Sequence, residues 1–128
     1  MARPGSETLT PREAQIMEVL WNAGSATAEQ IRSELPGESH DSTVRTLLRV
    51  LEEKGYVRHT ARGKAYVYWP AVKRASAERK AVRSLVQRFF GGSAEALVLR
   101  LIEDDQLTPD QLDELRRQLE SREKLAGR

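Results

Sequence analysis

The chain has 128 residues, a formal net charge of +2, 39% hydrophobic and 31% charged residues, and no cysteine. That length holds one compact domain, or a small domain with an appendage, and the mix is too apolar for disorder and too polar for a membrane span. The missing cysteines exclude disulfides, thiol catalysis and thiolate metal sites, and no window approaches the roughly 18 apolar residues of a transmembrane helix.

The opening MARPGSETLT has no apolar core of the kind a secretory signal carries, so a cytoplasmic location without membrane insertion is expected. Thr10-Pro11-Arg12-Glu13 predicts a helix start: threonine caps, proline suits the first turn, and glutamate three residues on closes a capping box. Ile16, Met17, Val19, Leu20 and Trp21 form an apolar stripe behind it, and Asn22-Ala23-Gly24 ends the helix. Thr27-Ala28-Glu29-Gln30 repeats the device for a short second helix closed by Leu35-Pro36-Gly37. A loop with His40 and Asp41 leads into a third helix, where Val44, Leu47, Leu48 and Leu51 recur at helical spacing before Gly55.

The period then changes. Tyr56–Thr60 and Ala65–Trp69 are short, β-branched and aromatic, with Ala61-Arg62-Gly63-Lys64 between them, which predicts a hairpin with a basic tip turning at Gly63. Pro70 stops the second strand. From Val72 the pattern is helical again: Val82, Leu85, Val86, Phe89 and Phe90 line a helix that ends at Gly91-Gly92. Ser93 caps another with Ala94, Leu97, Val98, Leu101 and Ile102 on one side. Thr108-Pro109-Asp110-Gln111 opens a last helix with Leu112, Leu115 and Leu119.

Charge follows the same division. Residues 42–80 hold ten Lys/Arg against three Asp/Glu, and residues 93–123 hold four against nine. A basic segment suits a polyanion and an acidic one is kept away from it, although solvated helix faces produce the same counts.

Three short helices and a hairpin are the order of a winged helix, so the predicted fold is mainly α, with a winged helix-turn-helix over residues 1–70 and a helical dimerisation domain over 71–128. The helix before the hairpin would enter the major groove. With Val44, Leu47, Leu48 and Leu51 turned inward, Ser42, Thr43, Arg45, Thr46 and Arg49 are left outward. Arginine suits guanine edges or phosphates, and hydroxyls and methyls suit phosphates and thymine. Arg58, Arg62 and Lys64, on or beside the hairpin tip, would neutralise flanking phosphates; solvated turn charges are the alternative, above all for Arg58. Tyr66, Tyr68 and Trp69 could stack on a nucleic acid, but alternation on a hairpin favours a core role for at least some of them. Leu85, Phe89, Leu97, Val98, Leu101, Leu112 and Leu115 need a covering surface that so short a segment cannot supply alone. A symmetric second chain supplies it and matches a palindromic DNA site.

Leu9-Thr10, Glu18 to Trp21, Thr43 to Leu51, Lys54-Gly55 and Phe90-Gly91-Gly92-Ser93 resemble the penicillinase-repressor family over roughly residues 9–119. The resemblance implies a homodimeric repressor of near-palindromic operators, with Thr43, Arg45 and Thr46 as the main recognition-helix contacts. Several relatives carry lysine where this chain has Ser42, which implies a different contact there. It also implies relief through a membrane-bound metalloprotease sensor system, with cleavage in the helix after the Gly-Gly junction. The cut bond in the best-known members is Asn-Phe, and the matching bond here is Arg100-Leu101. The copper-responsive branch uses a cysteine-rich tail that this chain lacks.

Three rival readings are weighed. An enzyme is disfavoured: His40 and His59 are the only histidines, and there is no phosphate-binding glycine loop, H-E-x-x-H or G-x-S-x-G. Asp104-Asp105 reads as solvated charge beside a helix end. No cofactor or metal is expected. A winged-helix protein-interaction module would more often show an apolar patch on the third helix. A ligand-responsive regulator of the MarR-like kind keeps the DNA site and changes only the signal.

Overall fold

The computed structural model describes residues 8–127. Its elements run α1 (Pro11–Ala23), β1 (Ala26–Thr27), α2 (Ala28–Glu34), α3 (Asp41–Glu53), β2 (Val57–Arg62), β3 (Ala65–Pro70), α4 (Arg74–Phe89), α5 (Ala94–Glu103) and α6 (Pro109–Leu125). The chain divides into two compact units, Met1–Val82 and Arg83–Arg128.

In the first unit three helices pack on a small antiparallel sheet of order β1-β3-β2. Both predicted capping boxes form: Thr10 accepts from the Glu13 amide while Glu13 accepts from the Thr10 amide, and Thr27 and Gln30 do the same for α2. These satisfy amides that a helix start leaves without partners. Asp41 is the first residue of α3 and not part of the preceding loop, with His40 at the N-cap position. At the other end α3 closes in a Schellman motif. Gly55 at φ +84° donates to the Glu52 carbonyl, and Tyr56 reaches back to the Leu51 carbonyl at 2.9 Å. The reversal turns the Tyr56 side chain into the core, where it is buried.

The hairpin is longer and tighter than its sequence suggests. Arg62 pairs with Ala65, so the turn is only Gly63-Lys64. Gly63 has φ +62° and Lys64 does not enter the left-handed region, which fits a type II′ turn with glycine first. Ala26 and Thr27 add a third strand by pairing with Tyr68 and Val67. The core is made of Ile16, Met17 and Leu20 of α1, Ile31 of α2, Val44, Leu48 and Leu51 of α3, and Val57 and Tyr68 of the hairpin.

Glu13 has a second partner besides its cap. Its carboxylate is 2% exposed and accepts from the Lys54 ammonium at 2.7 Å, and the same ammonium reaches the Thr8 carbonyl. Burial pushes the Glu13 carboxyl up. The Lys54 hydrogen bond, the Thr10 amide and the Lys54 charge outweigh that push and hold it below its ordinary value. The start of α1 is thereby tied to the end of α3.

Within the same unit the start of α4 is fixed to α1. The Trp21 indole donates to the Val72 carbonyl at 2.8 Å, and Arg74 pairs with Glu18, donates to Asn22 and lies over the Trp21 ring.

The second unit is built of helices with well-formed ends. Ser93 caps α5, and Thr108 and Gln111 form a third capping box at α6. α5 ends in another Schellman motif, with Asp105 at φ +56° and Gln106 donating to the Leu101 carbonyl. Asp104 and Asp105 are both exposed. Among the described residues from 83 onward, Val86 alone is buried.

Candidate nucleic-acid interface

α3 is amphipathic. Its apolar stripe at Val44, Leu48 and Leu51 is fully enclosed by the core, and this leaves Ser42, Thr43, Arg45, Thr46 and Arg49 exposed on the other side. The Thr46 hydroxyl donates to the Ser42 carbonyl at 2.9 Å. That bond restrains its rotamer. Asp41, at the start of the helix, is paired with Arg32 of α2, so its charge is neutralised at that end. Arg45 and Arg49 have no carboxylate partner among the described residues. Two arginines without an internal counter-ion on one helix face are free to bind an external anion.

The hairpin stands beside this face. Register puts His59 opposite Tyr68 and Ala61 opposite Tyr66, so these four lie on one side of the sheet. The His59 ring lies against both tyrosines, tilted by 43° to each, 4.5 Å from Tyr66 and 5.5 Å from Tyr68, and its Nδ1 lies 2.5 Å from a Glu52 carboxylate oxygen on α3. This bond locks the hairpin against the helix. Tyr68 is buried in the core as expected for alternation, whereas Tyr66, two residues nearer the tip, is 54% exposed. Trp69, on the other side of the strand, is also exposed.

Between helix and hairpin lie two clefts that share the tyrosines. One, of about 470 Å³, is lined by Arg49, Glu52, Glu53, His59, Tyr66 and Tyr68. The other, of about 520 Å³, is lined by Arg45 of α3, Lys64, Tyr66 and Tyr68 of the hairpin, and Thr27 and Glu29 at the start of α2. Burial pushes the Tyr68 phenol up, and the nearby Arg45 charge acts in the opposite direction. Arg62 and Lys64 are exposed and without ion pairs among the described residues at the hairpin end, and Arg58 is exposed lower on β2.

This arrangement brings together all seven predicted contact residues on one unit: the five on α3, and Arg62 and Lys64 at the tip. Its exposed α3 face presents cations and hydroxyls. Among the described residues no cluster of three or more His, Asp or Glu could hold a metal ion, and no helix is long and apolar enough to cross a membrane.

Comparison with known proteins identifies the lineage. The family described as penicillinase repressor matches residues 9–121. The chain belongs to the penicillinase repressor family. It is 30% identical over 114 residues to the penicillinase repressor of Bacillus licheniformis, covering 88% of this chain and 89% of that one. To the methicillin resistance regulatory protein MecI of Staphylococcus aureus (strain N315) it is 26% identical over 110 residues, covering 84% and 89%. The solution structure of the DNA-binding domain of the repressor BlaI superposes with a TM-score of 0.52 at 24% identity, covering 59% of this chain and 93% of the other. That likeness establishes the winged-helix fold. The penicillinase repressor family consists of transcriptional repressors, which are not enzymes.

Two features of the site escape a linear reading of the sequence. β1 is two residues long and has no period to detect; only its pairing with Tyr68 and Val67 reveals it. The Glu52–His59 bond joins residues seven apart, and its cue was a lone histidine on a strand that follows a helix ending in Glu52-Glu53.

Proposed function

We propose that this member of the penicillinase repressor family acts as a dimer on near-palindromic operator DNA, with DNA reading over residues 1–70 and dimerisation over 71–128. Ser42, Thr43, Arg45, Thr46 and Arg49 face the major groove, and Arg62 and Lys64 contact flanking phosphates from the wing. The observation that carries the reading is the α3 face, where Arg45 and Arg49 stand exposed without counter-ions beside a basic hairpin.

Support for dimerisation comes from the second unit. Phe89 is 72% exposed, and Leu85, Val98 and Leu115 are also largely exposed, while Leu97, Leu101 and Leu112 are half-buried. Side chains of this size, left open on consecutive helices, form the apolar area that a symmetric partner would cover. Pairing two reading heads also raises the effective concentration at the second half-site.

Relief of repression by a membrane metalloprotease sensor system, with cleavage at Arg100-Leu101, belongs to the same proposal. The bond lies inside α5, and Arg100 pairs with Glu103 and Asp104 one turn on. A protease needs an extended substrate, so α5 would have to open locally before the cut.

The test is binding of the full chain to its own upstream DNA across a salt series, together with light scattering. A dimer that binds one near-palindromic segment selectively, with affinity falling steeply as salt rises, supports the reading. Absence of DNA binding at low salt would favour a protein-interaction module, and a monomer at micromolar concentration would remove the symmetric arrangement.

A further inference from the structure

Arg45 and Arg49 are one helical turn apart, yet they stand differently on α3. At about 100° per residue, Ser42 and Thr46 lie nearest the direction opposite the buried Val44, Leu48 and Leu51; Arg49 is turned about 45° from it toward the hairpin, where it lines the neighbouring cleft with Tyr66 and Tyr68, and Arg45 is turned about 90°. On that side also lies Glu52, which holds His59 of β2. Arg45 lines the cleft of about 520 Å³ that is also lined by Lys64 of the hairpin turn and Tyr66 of β3, and its charge is felt by the Tyr68 phenol. A single carboxylate, Glu29, lines that cleft against the two cations. A guanidinium, an ammonium and an exposed phenol converging from two elements suit a tetrahedral oxyanion with several acceptor lone pairs. The lysine and the phenol beside the arginine add donors that the oxygens of one phosphate can accept together.

We infer that Arg45, Lys64 and Tyr66 form one seat for a DNA backbone phosphate where wing and recognition helix meet, leaving base edges to Ser42, Thr46 and Arg49. The inference rests on the proposed DNA reading and divides the labour within it. Arg45 then fixes the register of α3 in the groove without distinguishing bases. Tyr66, which the hairpin's alternation would assign to the core, becomes a contact residue because it lies one pair beyond the core-filling Tyr68.

The test is fluorescence anisotropy of the full chain on two duplexes: the one it enriches from a randomised pool, and a scrambled version. Arg45→Ala and Lys64→Ala should each weaken binding to both duplexes by about tenfold, preserving the ratio between them. The double variant should lose less than the product of the two. In the proposed dimer the seat occurs twice, so the log–log salt slope of the double variant should fall by about 1.8, one phosphate per half-site, and not by about twice that. Arg45→Lys should keep most of the affinity, because an ammonium replaces a guanidinium at a phosphate but not at a bidentate base contact. Arg49→Ala should reduce binding to the enriched duplex alone. A loss confined to the enriched duplex in Arg45→Ala, or independent losses in the double variant, would overturn the shared seat while leaving DNA binding intact. Failure of the unaltered chain to bind either duplex at low salt would overturn the DNA reading and the seat with it.

Discussion

In the first unit Ile16, Met17, Leu20, Ile31, Val44, Leu48 and Leu51 are fully enclosed, while α5 and α6 contain no buried residue at all. Side-chain caps occur in both units, at α1 and α2 in the first and at α5 and α6 in the second, so the difference does not lie in these local helix signals. It lies in what each apolar stripe faces. The stripes of α1 and α3 close on each other and on a sheet, whereas those of the second unit leave Phe89, Leu115 and Leu119 more than half exposed. Local sequence signals specify where a helix begins and ends, but a stripe becomes a core only when enough other surface surrounds it. The first unit closes a core of its own, and the second leaves its apolar stripes open.

The strongest way to break this comparison is to cut a hole in each unit. Leu48→Ala removes a side chain with no exposed area and should cost about 3–4 kcal/mol in urea unfolding, independent of protein concentration. Leu115→Ala, starting from a side chain 53% exposed, should cost far less in the isolated chain and show its effect only where a partner covers it. Equal, concentration-independent losses would mean that the second unit is completed within one chain.

Next in size is a charge placed on the open stripe. Phe89→Asp should weaken dimerisation about 100-fold, or about 3 kcal/mol, as measured by analytical ultracentrifugation. The thermal unfolding of the first unit should not change. If dimer affinity were unaltered, Phe89 would lie outside the interface, and Leu97, Leu101 and Leu112 would become the next positions to substitute.

These contrasts also show which parts of the molecule can be read from the chain. The three capping boxes at Thr10, Thr27 and Thr108 are local patterns of four residues, and all three form. The α3 stripe was equally legible, because the spacing of Val44, Leu48 and Leu51 follows from the helix period alone. β1 was not, since two residues carry no period and their partner strand is 40 residues away. Nor was the second role of Glu13: the capping box explains why a glutamate stands there, and only the fold brings Lys54 to it. At the DNA face, the identity of the exposed residues could be read directly. The turn of Arg45 toward Lys64 depends on where the hairpin packs, which no spacing rule supplies.

Smaller than the cavity is the buried ion pair of the first unit, which has no counterpart among the described residues of the second. Glu13→Gln keeps a side chain able to cap but leaves Lys54 without a carboxylate, and should cost about 1–3 kcal/mol at neutral pH. The pH dependence gives a sharper test. Because the folded-state value of Glu13 is lowered, its contribution is present above the ordinary carboxylate value of 4.5 and is lost as pH falls below it toward the folded-state value. Urea midpoints measured between pH 7 and pH 3 should therefore fall less steeply for Glu13→Gln than for the unaltered chain. Parallel curves would show that the pair adds nothing to the acid sensitivity of the fold.

The smallest expected effect isolates the comparison best, because it removes the same device from both units. Thr27→Ala and Thr108→Ala each delete a hydroxyl that accepts the amide three residues on, and each should cost about 1 kcal/mol. In α2 the loss falls on a helix whose Ala28 and Ile31 are buried in the first core, so the melting temperature should drop by the same amount at every protein concentration. In α6 no residue is buried, so the free energy of forming the helix must be drawn from whatever covers Leu112, Leu115 and Leu119. If that cover is a second chain, the Thr108→Ala loss will appear as weaker association, and the drop in melting temperature will grow as the protein is diluted. A drop that does not vary with dilution would place the stability of α6 within its own chain, and the contrast between the units would then be one of degree.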